Sequence, residues 1–180
     1  GLRVSEINGG SLRNAIPRES FATVTIDTVS KEPFLFELND LINTIKSEFS
    51  TLEPNLSIAL KEVSSPKKVM DLGVQEGLIK SIYTALNGVY RMSPDIEGLV
   101  ETSNNIARVI VKDGAIKIGC LTRSSSETNK FDLANSLRSA FELAGFNVEL
   151  SGSYPGWQPN VNSEIVALVA KTYEDLHEEK

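Results

Sequence analysis

Candidate chemistry in this chain is sparse and starts with a handful of side chains. His177 is the single histidine, set in the acidic end Glu174-Asp175-Leu176-His177-Glu178-Glu179. A metal centre needs several His, Cys or carboxylate ligands converging from defined positions, and a solvated helix end is the plainer expectation here. Cys120 is the single cysteine and sits inside an apolar alternation, which points to a buried thiol. It has no histidine near it in sequence to activate it, and no Gly-x-Ser-x-Gly elbow is present for a serine nucleophile. Ser124-Ser125-Ser126 reads as loop, and no Gly-rich phosphate cradle follows a strand. These residues do not build a self-contained active site, and no catalytic or metal-binding residue is assigned.

Binding is better served by three stretches rich in polar and special-backbone residues, where function concentrates. They are Asn8–Arg18 with its Gly9-Gly10 pair, Arg91–Asp95 leading into Val100–Asn105, and Tyr154-Pro155-Gly156-Trp157-Gln158-Pro159-Asn160. Each also has a plain role open to it: a β-β connection in which glycines supply positive φ, a surface loop, or a stiff linker.

The elements that must position these loops follow from periodicity. Ala22, Val24 and Ile26 alternate with polar residues, as do Leu56, Ile58 and Leu60, and Phe146, Val148 and Leu150. Ile106–Val111 and Ala115–Leu121 are joined through Lys112-Asp113-Gly114, and Asp-Gly between two such runs signals a hairpin whose turn residues take φ > 0. Helical spacing recurs in Phe34–Phe49, with Pro33 in the first turn, and in Leu78–Leu86, ended by Asn87-Gly88. It recurs again in Leu133–Ala144, stopped by Gly145, and in a last helix from Ser163 through Leu176. Strand, strand, helix, strand over residues 2–61 and again over 100–150 gives two weak β-β-α-β copies. Half-buried alternating strands favour a largely antiparallel sheet with helices on one face, an α+β, ferredoxin-like fold.

The bulk composition sets the frame. The chain has 180 residues, 41% hydrophobic and 23% charged, which is ordinary globular usage. A net charge of −6 and a pI of about 4.9, without a basic stripe, argue against a nucleic-acid surface. No apolar run approaches the ~20 residues of a membrane span. One cysteine cannot make an internal disulfide, so a cytoplasmic location is expected. The opening Gly-Leu-Arg reads as the interior of a longer protein.

The three loops carry a resemblance. Ile7-Asn8-Gly9-Gly10-Ser11-Leu12-Arg13-Asn14-Ala15-Ile16-Pro17-Arg18-Glu19 closely resembles the lid segment of bacterial aminoacyl-histidine dipeptidases. So do Tyr90-Arg91-Met92-Ser93 with Val100-Glu101-Thr102-Ser103-Asn104-Asn105, and Tyr154-Pro155-Gly156-Trp157-Gln158-Pro159. These enzymes share a dizinc metallopeptidase family with carnosinase and aminoacylase. The resemblance implies a lid and dimerisation domain over residues 1–160, with 161–180 a helix at the return to a catalytic domain that lies outside this sequence. It implies zinc as cofactor, two ions held by that other domain and none by this chain, which on its own would be inactive. Implied partners are that catalytic domain, a second copy through the lid, and a dipeptide substrate. Two residues carry over. Asn14, in Arg13-Asn14-Ala15, matches an asparagine that binds the substrate backbone. Arg123, in Cys120-Leu121-Thr122-Arg123-Ser124, matches an arginine that holds the dipeptide's C-terminal carboxylate, a task suited to the planar guanidinium fork. The alternative is a non-catalytic ferredoxin-like regulatory or dimerisation module, since such folds host many functions. The intact Arg-Asn-Ala-Ile-Pro-Arg-Glu string favours the lid.

Overall fold

A computed structural model describes residues 1–160 and 162–177. Among the described residues, five strands form one antiparallel sheet, accompanied by four α-helices. Strands β1 (Arg3–Gly10) and β2 (Ser20–Thr25) pair first, then α1 (Lys31–Glu48) and α2 (Leu72–Thr84) follow. Next come β3 (Gly88–Met92), β4 (Val100–Lys112), β5 (Ala115–Ser124), α3 (Glu127–Leu143) and α4 (Glu164–His177). The α+β, ferredoxin-like expectation therefore holds, although each expected β-β-α-β copy lacks its last strand.

β4 is the hub of the sheet. Along one edge it pairs with β5 from Thr102↔Ser124 to Lys112↔Ala115. Its other edge is shared: β3 takes the first half, Val89 facing Ser103, and β1 the second, Gly10 facing Arg108. The β4–β5 turn is the one its sequence demands, with Asp113 at φ 52° and Gly114 at φ 79°. Gly10, at φ 75°, lies so close to β4 that a Cβ there would collide with the Ala107 carbonyl.

The helices obey local rules. Asp71 caps α2 by accepting from the amides of Gly73 and Val74. α3 closes in a Schellman arrangement: Gly145 N–H donates to Glu142 O at 2.9 Å and Phe146 N–H to Phe141 O at 3.1 Å, with Gly145 at φ 85°. The core gathers Ala85, Leu133, Leu137 and Phe141, packed against Ile106, Ile118 and half-buried Cys120. Phe146 stands edge-on to Phe141, ring centroids 6.2 Å apart.

Several expectations change. Leu56–Leu60 and Phe146–Leu150 join no ladder. Phe146 and Val148 still pack on the core, so their alternation records which side chains face inward, with no strand partner to match. Arg91 and Met92, expected to open a loop, instead end β3, and Val100–Asn105 is the first half of β4. Ser124 ends β5, while Ser125 and Ser126 form the expected loop, Ser126 also capping α3. Helix α2 ends at Thr84, before Asn87-Gly88; Asn87 instead accepts the Ile106 amide at 2.8 Å. The buried face of α2 holds Gln75, Leu78 and Ser81, leaving Ile79 and Tyr83 of the expected stripe exposed.

Candidate functional site

A cleft of about 870 Å³ runs along the β5 edge, walled by α3 and by the strap that leaves Phe146 and reaches Trp157. Guanidinium groups from three elements line it: Arg13 from the β1–β2 connection, Arg123 from β5 and Arg138 from α3. The buried Nε–H of Arg138 has no hydrogen-bond partner. Arg123 is exposed near the end of β5, where its register partner on β4 is Ser103. A ladder position of this kind restricts its backbone, so only the side chain can move.

Asn14 is exposed on a turn closed by Ala15 N–H donating to Leu12 O at 3.0 Å. That turn is tethered to the sheet, because Asn105 Nδ2 donates to Ala15 O at 2.8 Å. Its neighbour Arg13 lines the cleft, whereas Asn14 sits outside the lining. Arg123 is therefore in the cleft and Asn14 beside it.

The string Glu101–Asn105 is a bonding hub. Thr102 and Asn104 are buried. The Thr102 hydroxyl pairs with that of Ser124 at 2.8 Å; Asn104 Nδ2 donates to Leu86 O at 2.7 Å, and Asn104 Oδ1 accepts from Thr122 at 3.0 Å. Glu101 Oε1 takes Asn129 Nδ2 at 2.7 Å and Arg91 Nε at 3.3 Å. Buried polar side chains are tolerated because each is paired. Their effect is to hold β3, β5, α3 and the Asn14 turn in register around the cleft mouth.

Sequence reasoning missed a second pair, Glu127 and Lys130. Lys130 is buried; its Nζ donates to Glu127 Oε1 at 2.6 Å and to Tyr154 O at 2.6 Å. The same carboxylate oxygen accepts Gly156 N–H at 2.8 Å. These bonds to Lys130 and Gly156 hold the Glu127 carboxyl below its ordinary value. The available signal was the i, i+3 spacing of Glu127 and Lys130 just after the Ser126 cap. Burial pushes the Cys120 thiol up, against a hydrogen bond from Asn104, which disfavours the nucleophilic thiolate.

His177 ends α4, its ring 4.5 Å from that of Tyr173. Glu178 and Glu179, its expected acidic neighbours, lie outside the described residues. Among the described residues, no three His, Cys, Asp or Glu side chains converge in a way that fits a metal ion. Among the described residues, no helix is long and apolar enough to cross a membrane.

The described residues thus form a five-stranded α+β segment with an arginine-lined cleft and no metal-ligand cluster. Comparison with known proteins gives that segment its kin. No protein-family model matches the chain. It is homologous over 97% of its length to the cytosol non-specific dipeptidase of Escherichia coli (strain K12), at 37% identity over 175 residues. The crystal structure of aminoacylhistidine dipeptidase from Vibrio alginolyticus superposes with a TM-score of 0.93 at 36% identity, covering 99% of this chain. The chain spans 36% of the length of each of these dipeptidases.

Proposed function

We propose that this chain is the lid and dimerisation segment of a cytosolic, zinc-dependent dipeptidase, and that it closes over the substrate and binds its C-terminal carboxylate. The observation that carries the reading is the match of nearly the whole chain to about a third of a dipeptidase, combined with Arg123 lining an open cleft. Residues 1–160 would form the lid and 161–180 the return to the catalytic domain. Arg123 offers its fork of donors to the carboxylate, and Asn14, on its tethered turn, adds amide contacts to the peptide backbone. Closure would exclude water and align the scissile carbonyl. The donor set described here does not fit a zinc pair, so the metal ligands and general base are assigned to the catalytic domain, and no metal step is assigned to this segment.

The coding sequence on either side of the segment tests the assignment. His-x-Asp and adjacent Glu-Glu upstream, with a further ligand histidine downstream, are expected. A reading frame confined to this segment would instead favour the regulatory module. In the complete enzyme, Arg123→Met should lower kcat/KM for dipeptides roughly 10- to 100-fold, the scale of a charge-assisted hydrogen bond, with zinc content unchanged. A variant with wild-type kcat/KM would remove the carboxylate role.

A further inference from the structure

The strap Gly152–Trp157 spans the cleft between the two sides of the candidate site. At one end, a Cβ on Gly152 would come 3.7 Å from a terminal nitrogen of Arg13, next to Asn14. At the other, Gly156 packs on the chain just after Arg123: a Cβ there would collide with the Ser124 carbonyl oxygen, with Ser125 O at 3.0 Å behind it. Between these ends the strap is fastened by Lys130 Nζ to Tyr154 O and by Gly156 N–H to Glu127 Oε1. A buried ammonium that spends two of its donors on one carboxylate and one strap carbonyl is costly to leave unpaired. Releasing the strap would leave it with Glu127 as its one partner and cost it the Tyr154 carbonyl.

From this geometry we infer that the Glu127–Lys130 pair is a latch, and that the latched strap is a positioning element fixing the Asn14 turn and the Arg123 strand end relative to each other. Its consequence for turnover rests on the substrate-binding reading above; the latch itself does not. Arg123 and the Asn14 turn lie on opposite edges of β4, Arg123 across from Ser103 and the turn held by Asn105. The sheet sets their separation along the strand. The strap adds a brace over the cleft, bonded at its Glu127–Lys130 end and packed beside the Arg13 guanidinium at the other, and bracing of this kind keeps long polar side chains within the narrow tolerance a bound substrate needs. Gly156 is required because no side chain fits between strap and β5, and Lys130 because one long cation must reach both Glu127 and the Tyr154 carbonyl.

Two measurements test this. Amide hydrogen exchange on this chain should show Lys130→Met speeding exchange at Gly156 and its strap neighbours at least about tenfold, while Val109 and Val111 of β4 keep wild-type protection. Lys130→Arg, which retains several donors, should restore the protection. Glu127→Gln, at a half-exposed side chain that tolerates change, should give a smaller rise. Unchanged exchange at Gly156 in both Lys130→Met and Glu127→Gln would overturn the latch. Kinetics in the complete dipeptidase should then show KM raised about tenfold by Lys130→Met with kcat nearly constant, as expected when ground and transition states lose the same contact, and rescue by Lys130→Arg. A loosened strap with unchanged KM would overturn the positioning role. A normal KM in Arg123→Met would instead strike the carboxylate reading, and with it the positioning role, while the exchange result on the latch stands.

Discussion

At the scale of single residues, Glu127 makes the latch sensitive to acid. Its carboxyl ordinarily titrates at 4.5 and is held lower, first by Lys130 and then by the Gly156 amide. Because the folded value is depressed, its stabilising contribution is fully present above 4.5 and is lost as pH falls through the folded value. The Gly156 amide proton reads this directly, since it donates to the titrating oxygen. Its chemical shift should titrate with a midpoint below 4.5, and Lys130→Met should move that midpoint up toward 4.5. A wild-type midpoint at or above 4.5 would mean the carboxylate is not held as described. Asn104 makes a contrasting case, in which structure rather than charge is at stake. Asn104→Ala removes two bonds and leaves the Leu86 carbonyl unpaired, so it should cost about 1–3 kcal/mol in denaturant unfolding.

Among the elements, β4 carries the organisation, since three strands pair to it and Val100, Glu101 and Ser103 of its first half line the cleft. The tightest joint is Gly10 against Ala107. Gly10→Ala adds a Cβ into a backbone carbonyl at a residue with φ 75°, so the β1–β4 pairing must open. Unfolding free energy should drop by at least about 2 kcal/mol; a drop below about 0.5 kcal/mol would show the joint to be loose. How far such features could be read from sequence depended on their range. The Asp113-Gly114 turn was legible because positive φ is a property of two adjacent residues. β3 was not, because all five of its residues are exposed and no inward face imposes an alternation. The first half of β4 was hidden for the opposite reason: its inward positions are Thr102 and Asn104, paired polar residues that broke the apolar pattern. Leu56–Leu60 and Phe146–Leu150 alternate without pairing, since alternation marks facing and says nothing of a neighbour strand. Arg123 stood out through family resemblance alone. The latch was out of reach, as Glu127 meets Gly156 across 29 positions.

For the whole molecule, α4 raises the question of what completes this segment. It has 14 residues, none buried, and Ile165, Val166, Val169 and Tyr173 present a common apolar face. An isolated helix of that length is marginal in water, so a helix with this face needs something to pack on. If that something is a catalytic domain, as proposed, the face contributes nothing to the sheet. Val169→Lys should then leave the unfolding of this chain within about 0.5 kcal/mol of wild type, while reducing any self-association seen by sedimentation, since an apolar patch invites contact between copies. In the complete enzyme the same change should lower Tm measurably, because a lysine would replace about 1.5–3 kcal/mol of buried valine and place a charge in an apolar contact. Equal destabilisation of chain and enzyme would show instead that α4 docks on its own sheet, and the segment would then be a closed domain rather than one built to be completed by another.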